Sequence, residues 1–472
     1  MPPSILYELY NLGLAEGTGI ATYARNTVQS ATKAGYAVDG LFHSETQLSR
    51  KDPVMAEVAF FDRRSQRTSP TFRGAENALR YLFGAIDGVT LHQLAKTGVV
   101  LDLANPKSLF SAYRNVYVAR RFMDLSRFHF KRFGRSIRIR PPVRPDIFHA
   151  TQPIPLRVPG ALNIYTIHDL VPLRLPSATL DDKKFFLNMV RRLGATADHI
   201  VTVSEASRRD LIDIAGIPEE KITNTYQAVS IPPKLAAMAD DEVANILRNA
   251  FNLDMRGYHL FFGAIEPKKN LGRIIDAYVG SGSPCPLVIA GGLGWDYQAE
   301  LERLEAVKSP YYQMVEQKIV PREKIRRVGR VPQDHLVALI RGARALIFPS
   351  LYEGFGLPVL EAMTLGTPVI TSNTSALAEV AGDAALTVNP FRADEIAEAI
   401  RTLDADEALR RDLSWRGREQ AKKFSPERYV ERLDALYAKL LRRAPLASPA
   451  LASNSPASAP LDVETKEAAD VA

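Results

Sequence analysis

Ser350-Leu-Tyr-Glu353-Gly354-Phe355-Gly356-Leu357-Pro358-Val-Leu-Glu361-Ala362 places two carboxylates around a glycine turn. The run Ala345-Leu-Ile-Phe-Pro349 before it reads as a buried strand. Pro358 suits the first turn of a helix, where a missing N–H costs nothing. The stretch therefore predicts a strand, a turn and a helix. Its glycines open the amides of Gly354, Phe355, Gly356 and Leu357 to a ligand, at a helix end that carries partial positive charge. Such a geometry invites a diphosphate. Carboxylates have no place in a phosphate nest, so Glu353 and Glu361 point to hydroxyls on both sides of the phosphates. Sugar hydroxyls suit Glu353 on the turn, and ribose hydroxyls suit Glu361 in the helix. A nucleotide-sugar has that shape.

The basic counterpart lies upstream, in His259-Leu-Phe-Phe-Gly263-Ala264-Ile-Glu266-Pro267-Lys268-Lys269-Asn270-Leu271. It reads as a strand ending at Gly263, a turn and a helix start. Asn270 is placed to cap a helix whose apolar face is Leu271, Ile274, Ile275 and Tyr278. Two lysines at a strand's carboxyl end are well placed to neutralise a diphosphate leaving group.

Together these stretches resemble the retaining glycosyltransferases of family 4 (group 1), which carry a Glu, seven residues, Glu signature and a Pro-Arg-Lys-Asn turn. Lys269 matches that turn's lysine, and Lys268 stands where arginine is common. Ala264 and Gln227 depart from the pattern. The resemblance implies an α/β chain of GT-B fold: two Rossmann-like, doubly wound domains facing a central cleft, with a carboxyl-terminal helix crossing back to the first domain. Strands alternating with helical patterns agree, at Pro286–Ala290, Ile325–Gly329, Thr367–Thr371 and Ala385–Val388.

The amino-terminal half supplies complementary parts. A first strand over Ile5–Leu9 leads to a loop with Gly17 and Gly19, then Tyr23. The resemblance makes this a loop for donor phosphates or acceptor. Two strands end in His149 and in His168-Asp169. His168 is the candidate for contact with the transferred sugar, as in relatives with a histidine at that strand end. Asp169 and His149 are acceptor-side candidates, His149 being equally readable as a hydrogen-bonded cleft histidine. Ser204 is expected to cap a helix.

At 472 residues the chain is too long for one ordinary core, so two domains are expected. We place the first at 1–230 with an insertion at about 62–143, a linker at 231–256, the second domain at 257–424, a closing helix at 425–443 and a disordered Ala/Ser/Pro-rich tail at 444–472. No long apolar run suggests a membrane span, and Met1-Pro-Pro-Ser-Ile lacks the pattern of a secretory signal. One cysteine, Cys285, forms no internal disulfide, and a reducing cytoplasm is the simplest setting.

A net charge of +7 is concentrated in the insertion, where Asp124 is the only acid between Arg114 and Arg140. Its arginines and aromatics fit peripheral contact with the anionic inner face of a membrane, or a helical elaboration with a solvated basic face. Nucleic acid is a third reading, but no other motif speaks for it and none is expected as a partner.

The expected activity is hexosyl transfer, with mannosyl as the family's pointer, from a nucleotide-sugar to a glycan or lipid-linked acceptor in surface-polysaccharide (lipopolysaccharide) assembly. Glu353, His168 and Lys269 are the catalytic candidates. Lys268, Lys269, Gly263, Gly354, Phe355, Gly356, Leu357 and Glu361 are the donor-binding ones. No Asp-x-Asp motif stands beside a strand end, so neither metal nor other cofactor is expected. A phosphorylase would need a much longer chain. A degenerate nucleotide-sugar-binding scaffold is the alternative.

Overall fold

Alternation along the first strand decides how the amino-terminal half is built. In β1 (Ser4–Glu8), Ile5 and Tyr7 enter one apolar cluster and Leu6 enters the other, because successive side chains leave a strand on opposite faces. A sheet buried on both faces needs helices on both sides, which is the parallel α/β solution. The computed structural model describes residues 2–13, 19–45, 48–49, 51–62, 88–100, 112–307, 310–315 and 318–442.

The first sheet contains β1, β2 (Ala37–Ser44), β3 (His92–Leu94), β4 (Asn115–Arg120), β5 (Ile147–Ala150), β6 (Leu162–Thr166), β7 (His199–Thr202) and β8 (Ile222–Asn224). Their spatial order is β8-β7-β6-β5-β1-β2-β4-β3, and only the β3–β4 pair is antiparallel. The second sheet contains β9 (His259–Phe262), β10 (Leu287–Ala290), β11 (Ile325–Gly329), β12 (Ala345–Phe348), β13 (Val369–Ser372) and β14 (Leu386–Val388). It is parallel throughout, in the order β11-β10-β9-β12-β13-β14. In both sheets chain order reverses beside a central strand, and ligands bind at the carboxyl ends of the strands at such a switch.

The helices that matter below are α1 (Gly19–Lys33), α2 (Phe122–Phe133), α3 (Lys183–Thr196), α4 (Glu205–Asp213), α5 (Asp240–Ile246), α6 (Leu271–Ser281), α7 (Gln333–Gly342), α8 (Leu357–Thr364), α9 (Ser375–Ala381) and α10 (Pro426–Leu440). Ser204 caps α4 by accepting from Ser207 N at 3.0 Å, as its position implied. Asn270 does not cap α6 with its side chain. Its backbone is left-handed at φ 64°, and its amide instead donates to the carbonyls of Pro349 and Pro390. That arrangement ties the lysine turn to the ends of β12 and β14. Residues 240–253 pack Val243, Leu247 and Phe251 into the same apolar cluster as Leu339 of α7.

Helix α10 follows the second domain in sequence but seats on the first. Ser425 caps it, Pro426 opens it, and Tyr429, Val430, Leu433, Leu436 and Tyr437 form its buried stripe. Each such aliphatic side chain contributes about 1.5–3 kcal/mol when fully buried. Polar tips are paired across the contact: Thr27 with Tyr429, Tyr36 with Asp434, and Tyr7 with Tyr437, each at 2.7 Å. The return crossing expected from the family resemblance is thus present. Gly17 and the tail from 444 lie outside the described residues, as do 63–87 and 101–111 of the basic insertion.

Tyr437 hydroxyl joins Tyr7 to His149 Nδ1, the latter at 2.6 Å, and His149 Nε2 meets Thr166 at 2.8 Å. Tyr437→Phe leaves buried partners unsatisfied and should lower stability by about 1–3 kcal/mol, read from the urea midpoint. Burial, then His168 and His199, push the His149 imidazole from 6.5 down to about 3. A histidine held neutral by folding supports the fold fully above its unfolded value. That support is lost as pH falls from there toward the folded value. The urea midpoint should therefore decline from pH 6.5 toward pH 4.

Candidate active site

The turn after β12 owes its shape to two glycines. Gly356 has φ +112°, which L side chains rarely adopt. A Cβ on Gly354 would stand 2.8 Å from Asp169 Oδ2 and 2.9 Å from the His168 carbonyl oxygen. Glycine is therefore needed because the first domain's strand end lies directly against it. Leu357 lies 3.7 Å from where a Cβ on Gly19 would stand, so the first turns of α1 and α8 also meet. Pro358 sits in that first turn of α8, whose amides lack intrahelical partners.

Across β9 and β12 the charged groups meet. Lys269 Nζ is 2.5 Å from Glu353 Oε1 and 5.0 Å from the centre of the Phe348 ring. Lys268 Nζ lies 3.8 Å from Glu353 Oε2 and 3.7 Å from Glu266 Oε1. Glu266 in turn accepts from the Trp295 indole at 2.6 Å. Burial opposes ionisation of Glu353, but Lys269 and then Lys268 outweigh it and hold the carboxyl below its ordinary value. Burial likewise opposes the Lys268 charge, and Glu353, Glu266 and Asp169 together raise its pKa despite it. Glu353 and Lys268 thus stay charged in a nearly dry cleft because each is held beside opposite charge.

His168 is half-buried, with Nε2 2.9 Å from the Thr151 carbonyl and its ring edge-on to Tyr23 at 4.8 Å. Burial lowers its pKa. The neutral ring donates through Nε2 and keeps Nδ1 as an acceptor. Asp169 Oδ1 accepts from Val171 N at 3.0 Å. Glu361 is different in kind: burial alone raises its carboxyl from 4.5 to about 7.

The structure thus brings His168, Asp169 and Gly19 of one domain against Glu353, Gly354 and Leu357 of the other, with Lys268 and Lys269 beside Glu353. Gly263 closes β9 with φ +141°. Three sequence candidates have other places. Both ring nitrogens of His149 are engaged in the core, and the residue is fully buried, so it offers nothing to an acceptor. Tyr23 is equally buried, its hydroxyl 2.9 Å from Thr166, and it supports the His168 ring from below. Phe355 turns inward and packs edge-on against Phe424 at 5.7 Å. Tyr23 was read as part of a ligand loop where burial makes it a packing element, His149 follows its alternative reading as a hydrogen-bonded histidine, and the inward Phe355 ring leaves the reading of its amide untouched.

Sequence reasoning missed several groups. Ser375 Oγ accepts from Glu353 N at 3.3 Å, a contact between residues that sequence gives no reason to pair. Glu8, fully buried at the end of β1, accepts from Tyr10 N and Gln152 and is raised to about 7 by burial. Its buried position at a strand's carboxyl end was the available signal. Among the described residues no group of three or more His, Cys, Asp or Glu is placed to hold a metal ion.

Comparison with known proteins agrees with this geometry. The family described as "Glycosyl transferases group 1" matches residues 243–420, and "Glycosyltransferase Family 4" matches residues 91–231. The chain is 34% identical over 273 residues to O-antigen chain mannosyltransferase B of Escherichia coli, covering 56% of this chain and 67% of that one. It is 29% identical over 261 residues to the serotype-specific mannosyltransferase WbdA of Escherichia coli. That match covers 55% of this chain but only 31% of the relative's own length. Among solved structures, sucrose-phosphate synthase of Thermosynechococcus elongatus superposes with a TM-score of 0.60 at 17% identity, covering 94% of this chain and all of that one. Anabaena HepE, solved with UDP and glucose, gives 0.61 at 13% identity, covering 93% of this chain and 100% of the other. At those identities the superpositions speak for the GT-B fold alone.

The raised Glu361 carboxyl gives a pH test. Above about 7 it is ionised and free to accept from hydroxyls of a ligand; as pH falls through about 7 it gains a proton and loses that capacity. Nucleoside diphosphate affinity should therefore fall below pH 7, toward about tenfold per pH unit at the limit. Thermal shift with GDP and with UDP at pH 6 and pH 8 measures this. Glu361→Gln should flatten the dependence.

Proposed function

Because the chain belongs to the glycosyltransferases of group 1 and family 4, we propose that it transfers a hexosyl group, mannosyl in the first instance, from a nucleotide-diphosphate sugar to a glycan or lipid-linked acceptor in surface-polysaccharide assembly. Transfer proceeds with retention at the anomeric carbon. The observation that carries this reading is the Lys269–Glu353 pair at 2.5 Å, with Lys268 beside it and Gly354 against the His168-Asp169 strand end. Mannose is favoured by the O-antigen mannosyltransferases among the relatives.

In this reading the sugar lies between Gly354 and His168. Glu353, held ionised by its lysines, accepts from sugar hydroxyls and fixes the ring. His168 Nδ1 accepts from another hydroxyl, while Asp169 faces the acceptor side. Glu361 holds the ribose. The bond from the anomeric carbon to the diphosphate oxygen breaks as the acceptor oxygen approaches on the same face, and the acceptor proton passes to the departing phosphate. Negative charge grows on that phosphate in the transition state. In this reading Lys269, Lys268 and the first amides of α8 receive that charge, and their place at the strand and helix ends limits the reorganisation needed when the bond breaks. One oxyanion donor of this sort is worth about 3–4 kcal/mol in comparable sites.

We place the enzyme in the cytoplasm, resting on the inner face of a membrane. The support is a groove of about 570 Å³ between α2 and α3, lined by Lys131, Lys184, Arg191 and Arg192 beside Phe130 and Phe185. Phe128 and Phe133 are exposed on the same helix α2. No helix among the described residues is long and apolar enough to cross a membrane.

Incubation with GDP-mannose, UDP-hexoses and dTDP-rhamnose, each with a mannosylated acceptor, should show transfer from one donor. Anomeric coupling in the NMR spectrum of the product should match that of the donor. Glu353→Ala should cut turnover by at least about a thousandfold, in line with loss of one major transition-state interaction of ~4 kcal/mol. Undiminished polysaccharide output from a strain carrying Glu353→Ala would instead favour a scaffold.

A further inference from the structure

Helix α4 of the first domain touches the second at three places, two of them on the sugar-site loop, and none was assigned above. At its start, the amides of Glu205 and Ala206 both donate to the Glu379 carboxylate, at 3.0 Å and 3.3 Å. In its middle, Ser207 Oγ donates to the Gly354 carbonyl at 3.4 Å. One turn on from Ser207, Asp210 Oδ2 accepts from the Tyr352 hydroxyl at 2.5 Å, while Arg174 holds Oδ1 with its Nε at 2.9 Å. Tyr352 and Gly354 flank Glu353. The loop that carries the sugar-site carboxylate therefore leans on one helix of the opposite domain.

Glu379 is tied to the same loop through its own helix. It lies on α9, one turn after Ser375, whose hydroxyl accepts the Glu353 amide. Residues four apart share a helix face, so α9 presents Ser375 to the loop and Glu379 to α4. Glu379 also takes a hydrogen bond from Tyr226, two residues after β8 where the chain leaves the first domain. Tyr226 has φ +57°, and its ring packs edge-on against Phe424 and beneath the Arg432 guanidinium, 4.9 Å away. One carboxylate thus joins the start of α4, the exit from the first sheet and the helix behind Glu353. The partial positive charge of a helix start favours that placement.

We propose that Glu379 and the Tyr352–Asp210–Arg174 chain are positioning residues that dock α4 against the sugar-site loop and so fix Glu353 relative to His168 when the two domains meet. Glu379 and Asp210 touch neither substrate nor reacting atoms. They act through the pose of Glu353, and through how often the cleft is assembled. Donor that binds the second domain needs neither contact, whereas transfer needs the assembled cleft. Loss of either contact therefore lowers kcat and leaves donor affinity nearly unchanged.

The proposal rests on the glycosyl-transfer reading, so one measurement is made without turnover. In the full ligand-free chain, hydrogen exchange at the Glu205 and Ala206 amides should quicken at least tenfold in Glu379→Ala. Exchange in β9 and β12 should stay unchanged, and the radius of gyration by solution scattering should rise. In the turnover arm, Tyr352→Phe and Glu379→Ala should each lower kcat about tenfold or more, with nucleoside diphosphate affinity within about twofold of wild type. Tyr352→Phe with Asp210→Asn should lower kcat no further than Asp210→Asn alone, because the Asp210 change already disrupts the contact that Tyr352→Phe removes. Wild-type exchange and scattering in Glu379→Ala would overturn the proposal, as would unchanged kcat in both single variants or a loss confined to donor affinity. Absence of transfer by the wild-type chain would count against the proposed function, and the exchange arm would still decide the docking role. If Glu379→Ala fails to fold, Glu379→Gln takes its place. It keeps one acceptor oxygen and should show the same changes at reduced size; no change at all would again overturn the proposal.

Discussion

Charge balance in a closed cleft is the constraint on which the rest of this structure depends. Lys268 and Lys269 sit where a diphosphate would need them, yet ammonium groups cannot be buried without partners. Glu353 supplies both, and Glu266 shares Lys268. The carboxylate that would grip a sugar is thereby the counter-ion of the lysines that would receive its leaving group. In the proposed reaction a bound diphosphate would add negative charge beside the lysines and free Glu353 to turn its lone pairs to hydroxyls. One ion pair would then serve both the empty and the filled site.

The two sheets exist to bring that pair to the right place. Parallel strands aim their carboxyl ends at one edge, so β9 and β12 deliver Lys269 and Glu353 together, and β6 delivers His168 from the other domain. Helix α10 then binds the end of the second domain to the first through the buried Tyr429 and Tyr437. His149 is spent in this joint. A histidine at a strand end can serve a ligand or a joint, and the tyrosine hydroxyl above it decides which.

Much of this was legible in the residues. The glycine turn, Pro358 and the two glutamates gave the strand, turn and helix before any coordinates. The lysine turn and its spacing gave the charge that must face them. Alternating strands and helical stripes gave two parallel α/β units, and the stripe of Tyr429, Leu433, Leu436 and Tyr437 gave a closing helix. Each of these is a local pattern with a period, which sequence preserves. Tyr23 was misread for the opposite reason. An aromatic near a glycine loop looks alike whether it faces a ligand or the core, and only packing separates the two.

Sequence by itself determined the chemistry on offer: two carboxylates, two ammoniums, a glycine turn and a histidine strand end, each at a fixed place in its own unit. Tertiary structure decided which of them meet. The Glu353 amide finds Ser375, the Gly354 backbone finds Asp169, and Glu379 finds the start of α4. The last two join residues on different domains, and even the first spans 22 residues of chain. Their formation is set by how two finished surfaces pack, and no local period in the residues records it.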